Sequence, residues 1–348
     1  MRVAIIAPPW IPVPPPAYGG TETVLDYLAR GLQSAGHDVL LFGTGDCTCP
    51  VPRAWLLPRA AGTVEMGSPT EIRHVIYAYE AAMDWEADVI HDHTMVGPVY
   101  AERFDIPVVT TNHGPFNGDL SDFYRVIAPS VSIVAISAHQ AESAGQTPIG
   151  AVIHHGVDVE SFPSGRGNGG YALFLGRMCS TKGVSTAIRI AQEAGVPLKI
   201  AAKLREPAER AYFESEVQPL LGGCVEYVGE VGGPAKLELL AQARCLLNPI
   251  NWAEPFGMVM IEALACGTPV LATPCGSVPE IVDDGETGFI RSSPTELAAM
   301  LGEVDTIDRG HCRTIAALRF SSERMVGDHV TLYEQVVAAR GQVPIRVA

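Results

Sequence analysis

A chain of 348 residues with a formal net charge of -15 is too long for one small core; at about 100 to 200 residues per domain it implies two. With 47% hydrophobic and 18% charged residues it is neither disordered nor fibrous. The acidic balance excludes a broad surface for nucleic acid or anionic membrane, which needs a dense basic face.

Taken in chain order, "VAIIA" reads as a buried strand, too brief for the apolar core of a signal peptide. A dinucleotide-binding fold would follow it with a G-x-G-x-x-G turn. The prolines of "PPWIPVPPP" follow instead, which weakens a nicotinamide or flavin oxidoreductase reading and predicts an extended loop. That loop meets Gly19 and Gly20, where backbone amides can approach a ligand. Thr21 or a neighbour is the expected cap of a helix whose apolar face is Val24, Leu25, Leu28 and Leu32. Glycines ahead of a helix N-terminus suit an anion, and a pair that only turns the chain fits the stretch as well.

Short apolar runs then alternate with helical patterns, which predicts parallel sheets with crossover helices. The first half offers "DVLLF", "DVIHD", "IPVVTT", "SIVAIS" and "AVIH" as further strands. Residues 70 to 83 form a core-facing helix with Ile72, Val75, Ile76 and Tyr79 at helical spacing. His91 and His93 end a strand, and their alternate spacing lacks the third ligand of a metal site; acceptor contact or packing is the reading, with no metal. The second half repeats the theme with "YALFLG", "PLKIAA", "VEYVG", "RCLLNP", "TPVLAT" and "TGFI". Between the halves, the glycine-rich "SFPSGRGNGGY" at residues 161 to 171 is the expected hinge. The domains are therefore 1-163 and 164-321, both doubly wound and Rossmann-like. A terminal helix is expected from the serine-glutamate start and apolar stripe of "SSERMVGDHVTLYEQVVAARG".

No uncharged apolar run reaches the roughly 18 residues of a membrane span. Of eight cysteines only Cys47 and Cys49 lie close, without metal or redox spacing, so reduced thiols and a cytoplasmic location are expected.

The chemistry gathers in the second half. After "YALFLG" come Arg177 and Lys182, two cations at the carboxyl end of a strand, where a diphosphate suits a forked arginine and a point-charge lysine; taken alone, the segment reads better as a solvated loop. In "NWAEPFGMVMIEALACGTPV", Pro255 and Gly257 suit a helix start, and Met258, Val259 and Ile261 pack. Glu262 sits in an apolar stretch where a lone carboxylate is costly; a hydroxyl-rich ligand is the expected partner, with a buried structural glutamate as the alternative. Eight helical residues span about 12 Å, which lets Glu254 and Glu262 hold the two ends of a nucleoside diphosphate sugar. Free amides at Phe256, Gly257, Met258 and Val259 would face the anion between them.

With "YGGTE", "TNHG", "HHGVD", "LGRMCSTKG", "EPFGMVMIEALACGTPV" and "GSVPEIVDDGETGFI" in this order, the chain resembles the retaining glycosyltransferases of family 4 over nearly its whole length. The resemblance implies the GT-B architecture: α/β, two facing Rossmann-like doubly wound domains with a cleft between them. The terminal helix, about residues 322 to 340, would pack back on the first domain. It implies a sugar moved from a UDP- or GDP-sugar, with retention, by front-face attack in which the leaving diphosphate acts as base. Glu254 would bind the donor sugar or its phosphate and Glu262 the ribose hydroxyls. Arg177 and Lys182 would neutralise the diphosphate, Gly19 and Gly20 would approach it, and His113 would sit beside the anomeric centre. Thr21, Asn112 and His93 complete the expected substrate contacts. No cofactor beyond the donor is implied. The acceptor, a small molecule, glycan or lipid-linked group, has no readable code in "PFNGDLSDFYRV", and His155 and Trp252 have no assigned part.

The competing reading from another class is a nucleotide-sugar 2-epimerase on the same architecture. It needs an acid and base set around the sugar ring that cannot be assembled beyond His113 and Glu254. A non-catalytic sugar-nucleotide sensor would keep the clamp without needing the histidine.

Overall fold

A computed structural model describes residues 1–62 and 65–340. The chain divides into two compact units. Unit 1 comprises Met1–Pro15, Gly19–His155 and the chain from Ser322 on; unit 2 comprises Pro16–Tyr18 and Gly156–Ser321.

Unit 1 is built on β1 (Arg2–Ile6), β2 (Asp38–Gly43), β3 (Arg53–Trp55), β4 (Val89–Asp92), β5 (Val108–Thr111), β6 (Ser132–Ala135) and β7 (Ala151–Val152), with α1 (Gly20–Ser34), α2 (Pro69–Asp84), α3 (Gly118–Ile127) and α4 (Ala138–Ser143) between them. Its strand order is β3-β2-β1-β4-β5-β6-β7. Unit 2 carries β8 (Ala172–Arg177), β9 (Leu198–Lys203), β10 (Val225–Gly229), β11 (Cys245–Asn248), β12 (Val270–Ala272) and β13 (Gly288–Ile290). Its helices are α5 (Val184–Ala194), α6 (Pro207–Tyr212), α7 (Gly233–Gln242), α8 (Met258–Ala265), α9 (Val278–Ile281), α10 (Pro294–Glu303) and α11 (Arg309–Phe320). There the order is β10-β9-β8-β11-β12-β13. α12 (Ser322–Arg340) follows and belongs to unit 1.

Every ladder in both sheets is parallel. Each order reverses once, between β1 and β4 in unit 1 and between β8 and β11 in unit 2. Crevices outside the carboxyl ends of strands at such reversals are where open α/β sheets bind ligands. The reversals therefore single out the loops after β1 and β4, and those after β8 and β11.

The strands form where short β-branched and aliphatic runs are buried on both faces, as in β1, where Val3, Ala4, Ile5 and Ile6 have 0% exposure. All twelve runs expected as strands are strands. β3 is the one missed: three residues at the sheet edge, following Pro52 and largely exposed. The helix expected over 70 to 83 is α2, capped by Ser68, whose side chain accepts from the Glu71 amide. Its core face differs from expectation, since Val75 and Tyr79 are buried but Ile72 is 37% exposed. Glu71, His74, Ala78 and Ala82 complete the buried stripe instead. The α1 face of Val24, Leu25, Leu28 and Leu32 is buried as expected.

α1 also packs closely on α12: a Cβ on Gly31 would lie 2.5 Å from Val326 Cγ2, so only glycine leaves that seam open. The glycine-rich stretch expected as the hinge is bonded into unit 2. Gly165 N–H donates to Cys266 O at 2.8 Å and Gly167 N–H to Ala241 O at 3.1 Å. A Cβ on Gly165 would meet Ala241 O at 2.2 Å.

Candidate active site

In unit 2, β8 delivers Arg177 as its last residue, and Lys182 closes the short 3₁₀ turn Ser180–Lys182 that follows. Gly183 then starts α5 in the left-handed region at φ 75, and a Cβ there would lie 2.0 Å from Pro249 O, so the turn and the loop after β11 are pressed together. This close approach brings Lys182 to Glu254. Its ammonium donates to Glu254 Oε1, with the two side chains only 10% and 11% exposed. The sequence reading gave these residues separate ligand roles; in the structure they are each other's partner. Glu254 Oε2 remains buried without a hydrogen-bond partner. Trp252, uninterpreted from sequence, has its ring 5.6 Å from Lys182 Nζ, a cation–π distance, and its Nε1 is buried and unpartnered.

The Glu254 loop is held from behind. Glu254 O accepts from the Ser277 amide at 3.1 Å, and the Ser277 hydroxyl donates to Phe256 O. Gly257 follows at φ 99, a left-handed conformation that ends the loop and caps α8 without a side-chain acceptor. The helix thus begins at Met258. This corrects the expectation that Glu254 and Glu262 are eight helical residues apart, because proline and a left-handed glycine keep the loop out of the helix. The 12 Å helical ruler does not apply. Met258 and Val259 are half-buried while Ile261 is buried, so the first turn of α8 stays partly open at its amide end.

Glu262 is 4% exposed, and one of its oxygens already has a partner within the protein. Lys236 on α7 donates to Oε1 at 2.7 Å. Arg177 is half-buried, and its charge acts on the phenol of Tyr18. Burial pushes that phenol up to about 12, an effect the Arg177 charge opposes. The Tyr18 amide donates to Glu230 Oε1 at 3.1 Å, and Arg205 forks the same carboxylate with two bonds of 2.7 Å.

In unit 1, Gly19 precedes α1 in extended conformation, where a Cβ would come within 2.7 Å of Pro15 Cβ and 2.9 Å of Glu22 Oε2. Thr21 is not the cap. The helix starts one residue earlier, at Gly20, and no side chain caps it. The carboxyl of Glu22 lies in this first turn, and burial pushes it up to about 7. Gly19 therefore already faces an acidic group, which the sequence motif did not reveal.

Asn112 and His113 follow β5. Gln140 of α4 fastens their loop, its Nε2 donating to Asn112 O at 2.9 Å and Gly114 O at 2.6 Å. Asn112 Oδ1 accepts from the Gly114 amide at 2.9 Å while its Nδ2 is buried and unpartnered. His93 Nδ1 and His113 Nε2 are 2.9 Å apart. Around them lie the rings of His91, His155 and His329: His91 is 4.0 Å from His93 between centroids and 5.1 Å from His329, and His155 is stacked 5.2 Å from His113. Burial lowers all five below the ordinary histidine range, His113 and His329 to about 4.

The expected residues thus fall into two groups. Unit 2 brings Lys182 to Glu254, beside Phe256, Gly257, Met258 and Val259, and gives Glu262 a separate partner. Unit 1 brings His93 to His113 and Asn112, and holds Gly19, Gly20 and Thr21 at the start of α1. Gln140, Lys236 and the wider histidine cluster were missed. His155 and His91 stood in quoted motifs, whereas Lys236 and Gln140 lie far from their partners in sequence and carry no local signal.

Among known proteins, residues 169–304 match the family described as Glycosyl transferases group 1, and residues 18–161 match Glycosyltransferase Family 4. A glycogen synthase of Mycobacterium tuberculosis is 26% identical over 99% of this chain and 94% of the relative. A phosphatidyl-myo-inositol mannosyltransferase of Mycolicibacterium smegmatis is 25% identical over 83% of this chain and 80% of the relative. Among solved structures, AviGT4, a glycosyltransferase involved in avilamycin A biosynthesis, matches at 25% identity with a TM-score of 0.72, covering 97% of this chain and 98% of that one. HepE of Anabaena, solved in complex with UDP-glucose, shares the fold at 19% identity and a TM-score of 0.73, covering 99% and 100%. Two parallel, doubly wound sheets, family models matching in both units and relatives aligned along most of the chain lead to one assignment: this chain is a family 4-like glycosyltransferase of the GT-B fold.

Proposed function

We propose that the chain transfers a hexosyl group from a nucleotide diphosphate sugar, a UDP- or GDP-sugar, to an acceptor with retention at the anomeric carbon. The observation that carries this reading is the buried Lys182–Glu254 pair beyond the carboxyl ends of β8 and β11, with Glu254 Oε2 and Trp252 Nε1 unpartnered. A buried, half-satisfied polar cluster at a sheet reversal fits a polyhydroxylated, anionic ligand.

In the reaction the bond from the anomeric carbon to phosphate breaks with its electron pair going to the diphosphate. The acceptor oxygen bonds to the same face of that carbon, and the acceptor proton passes to the departing phosphate oxygen. Arg177, Lys182 and the first amides of α8 meet the leaving charge, so the protein acts by positioning and electrostatics. Glu254 takes hydroxyls of the donor sugar, Glu262 the ribose, and Phe256 to Val259 line the phosphates. His113 and Asn112 serve the reacting sugar and the acceptor, with His93 behind His113, and Gly19, Gly20 and Thr21 make backbone contacts to the donor. No metal or cofactor takes part in this scheme. The relatives' names span a glycogen synthase and a mannosyltransferase, so the reading commits to the nucleotide diphosphate rather than to one hexose. Eight free cysteines support a reducing, cytoplasmic setting. Among the described residues no helix is long and apolar enough to cross a membrane.

Incubating the protein with UDP- and GDP-hexoses and a panel of acceptors, with the product's anomeric configuration read by NMR, tests the proposal. Nucleoside diphosphate release with a retained linkage is expected, unchanged by chelator. An inverted product overturns it, as does an epimerised sugar formed without acceptor.

A further inference from the structure

β4 and β5 are parallel neighbours in register, His91 opposite Val109 and Asp92 opposite Thr110. The chain leaving β4 therefore carries His93 alongside the chain leaving β5, which carries His113. Their facing nitrogens, His93 Nδ1 and His113 Nε2, lie 2.9 Å apart. Two neutral imidazoles at that distance hold one N–H between them: two protons would collide, and none would set lone pair against lone pair. The tautomers are thereby tied. If His93 donates from Nδ1, His113 keeps its proton on Nδ1; if His113 donates from Nε2, His93 keeps its own on Nε2.

Nothing else polar among the described residues holds the His113 ring. Gln140 fixes the backbone of its loop, and His155 covers one ring face, but neither sets which nitrogen carries the proton. His93 is itself 6% exposed. It is packed on His91, which is fixed at both ends, by Tyr333 Oη of α12 at 2.6 Å and Thr111 Oγ1 at 2.7 Å. His93 thus has a rigid support on one side and His113 on the other.

We propose that His93 is a positioning residue, which through one shared proton sets the tautomer and ring rotation of His113 for glycosyl transfer. This rests on the reading that His113 works beside the reacting sugar. The surrounding rings favour a neutral pair, because burial and the neighbouring imidazoles disfavour charge on His91, His93 and His113.

The test combines ¹⁵N NMR of the histidine rings with kinetics on UDP-glucose and GDP-mannose, in the wild type, His93→Leu, His93→Asn and His113→Ala. The wild type should show His113 as one tautomer and His93→Leu a mixture. His93→Asn, whose amide can replace Nδ1, should restore one form. His93→Leu should lower kcat by about 10- to 100-fold at nearly constant donor KM, the range for a misplaced reacting group, with partial rescue by Asn. The His91 signals, set by Tyr333 and Thr111, report that each variant is folded. An unchanged His113 tautomer in His93→Leu overturns the proposal, and so do equal rates for Leu and Asn. A wild type without transfer on any nucleotide sugar, or a fully active His113→Ala, removes the functional reading, whereas a slow His113→Ala beside a fast His93→Leu removes this inference alone.

Discussion

Replacing Lys182 with methionine should destabilise unit 2 and weaken its response to nucleotide. The substitution keeps most of the side-chain volume and removes the charge, leaving Glu254, with its side chain 11% exposed, as a buried carboxylate that has lost its bond at Oε1 and has no partner at Oε2. Breaking one side of a buried pair typically costs ~3–5 kcal/mol, far more than an exposed pair is worth. For a unit of ~170 residues the unfolding entropy converts this to a fall in Tm of ~8–14 °C. Differential scanning calorimetry of the full chain reads it, with the unit 1 transition as internal control. The double variant Lys182→Met, Glu254→Leu removes both charges and should recover to within ~2 kcal/mol of the wild type. UDP at about 100 times its Kd should raise wild-type stability by ~3 kcal/mol and Lys182→Met by far less. A single variant that loses under ~1 kcal/mol, with no dependence on residue 254, refutes the reasoning, because the two groups would then not be coupled.

Three further outcomes follow from the same geometry. In Gly276→Ala, the new Cβ would sit 2.3 Å from Glu254 O and 2.5 Å from Glu254 N at a φ of +61, so UDP affinity by calorimetry should fall at least about 10-fold as the loop is displaced; unchanged affinity contradicts the role given to this loop. Lys236→Met strands Glu262, whose side chain is 6% exposed, and should cost ~3 kcal/mol in urea unfolding, with a raised KM for the nucleotide sugar; a loss under ~1 kcal/mol would show that the bond at 2.7 Å carries little. His329 is lowered from 6.5 to about 4, so the unfolded chain takes up its proton first as pH falls. Its stabilisation is complete above pH 6.5 and is lost on acidification toward pH 4. His329→Gln should therefore flatten the stability profile by about 1 kcal/mol between about pH 8 and pH 5.5, and parallel profiles would refute the shift.

Much of this was legible because parallel sheets announce themselves. Runs such as "VAIIA" and "YALFLG" are continuous apolar stretches, buried on both faces and separated by helical patterns, so every strand but β3 was legible. β3 was invisible because a three-residue edge strand buries almost nothing. The start of α8 was misplaced because Pro255 and Gly257 signal a helix boundary without saying on which side of it Glu254 falls. The partner of Glu262 was sought in a ligand because nothing near it in sequence is basic. Lys236 arrives from the preceding helix, 26 residues away. The histidine cluster joins the ends of β4 and β5, the chain after β7 and α12, and His329 there reads as one more residue of an amphipathic stripe. Contacts of that range are set by topology, which local patterns do not encode.

The most direct measurement is an electron-density map of crystals soaked with UDP. The account predicts the two phosphates against Arg177 and Lys182, with oxygen-to-nitrogen distances of about 3 Å, and the ribose hydroxyls at Glu262. Nucleotide density elsewhere in unit 2, with the Lys182–Glu254 pair untouched by phosphate, would contradict it.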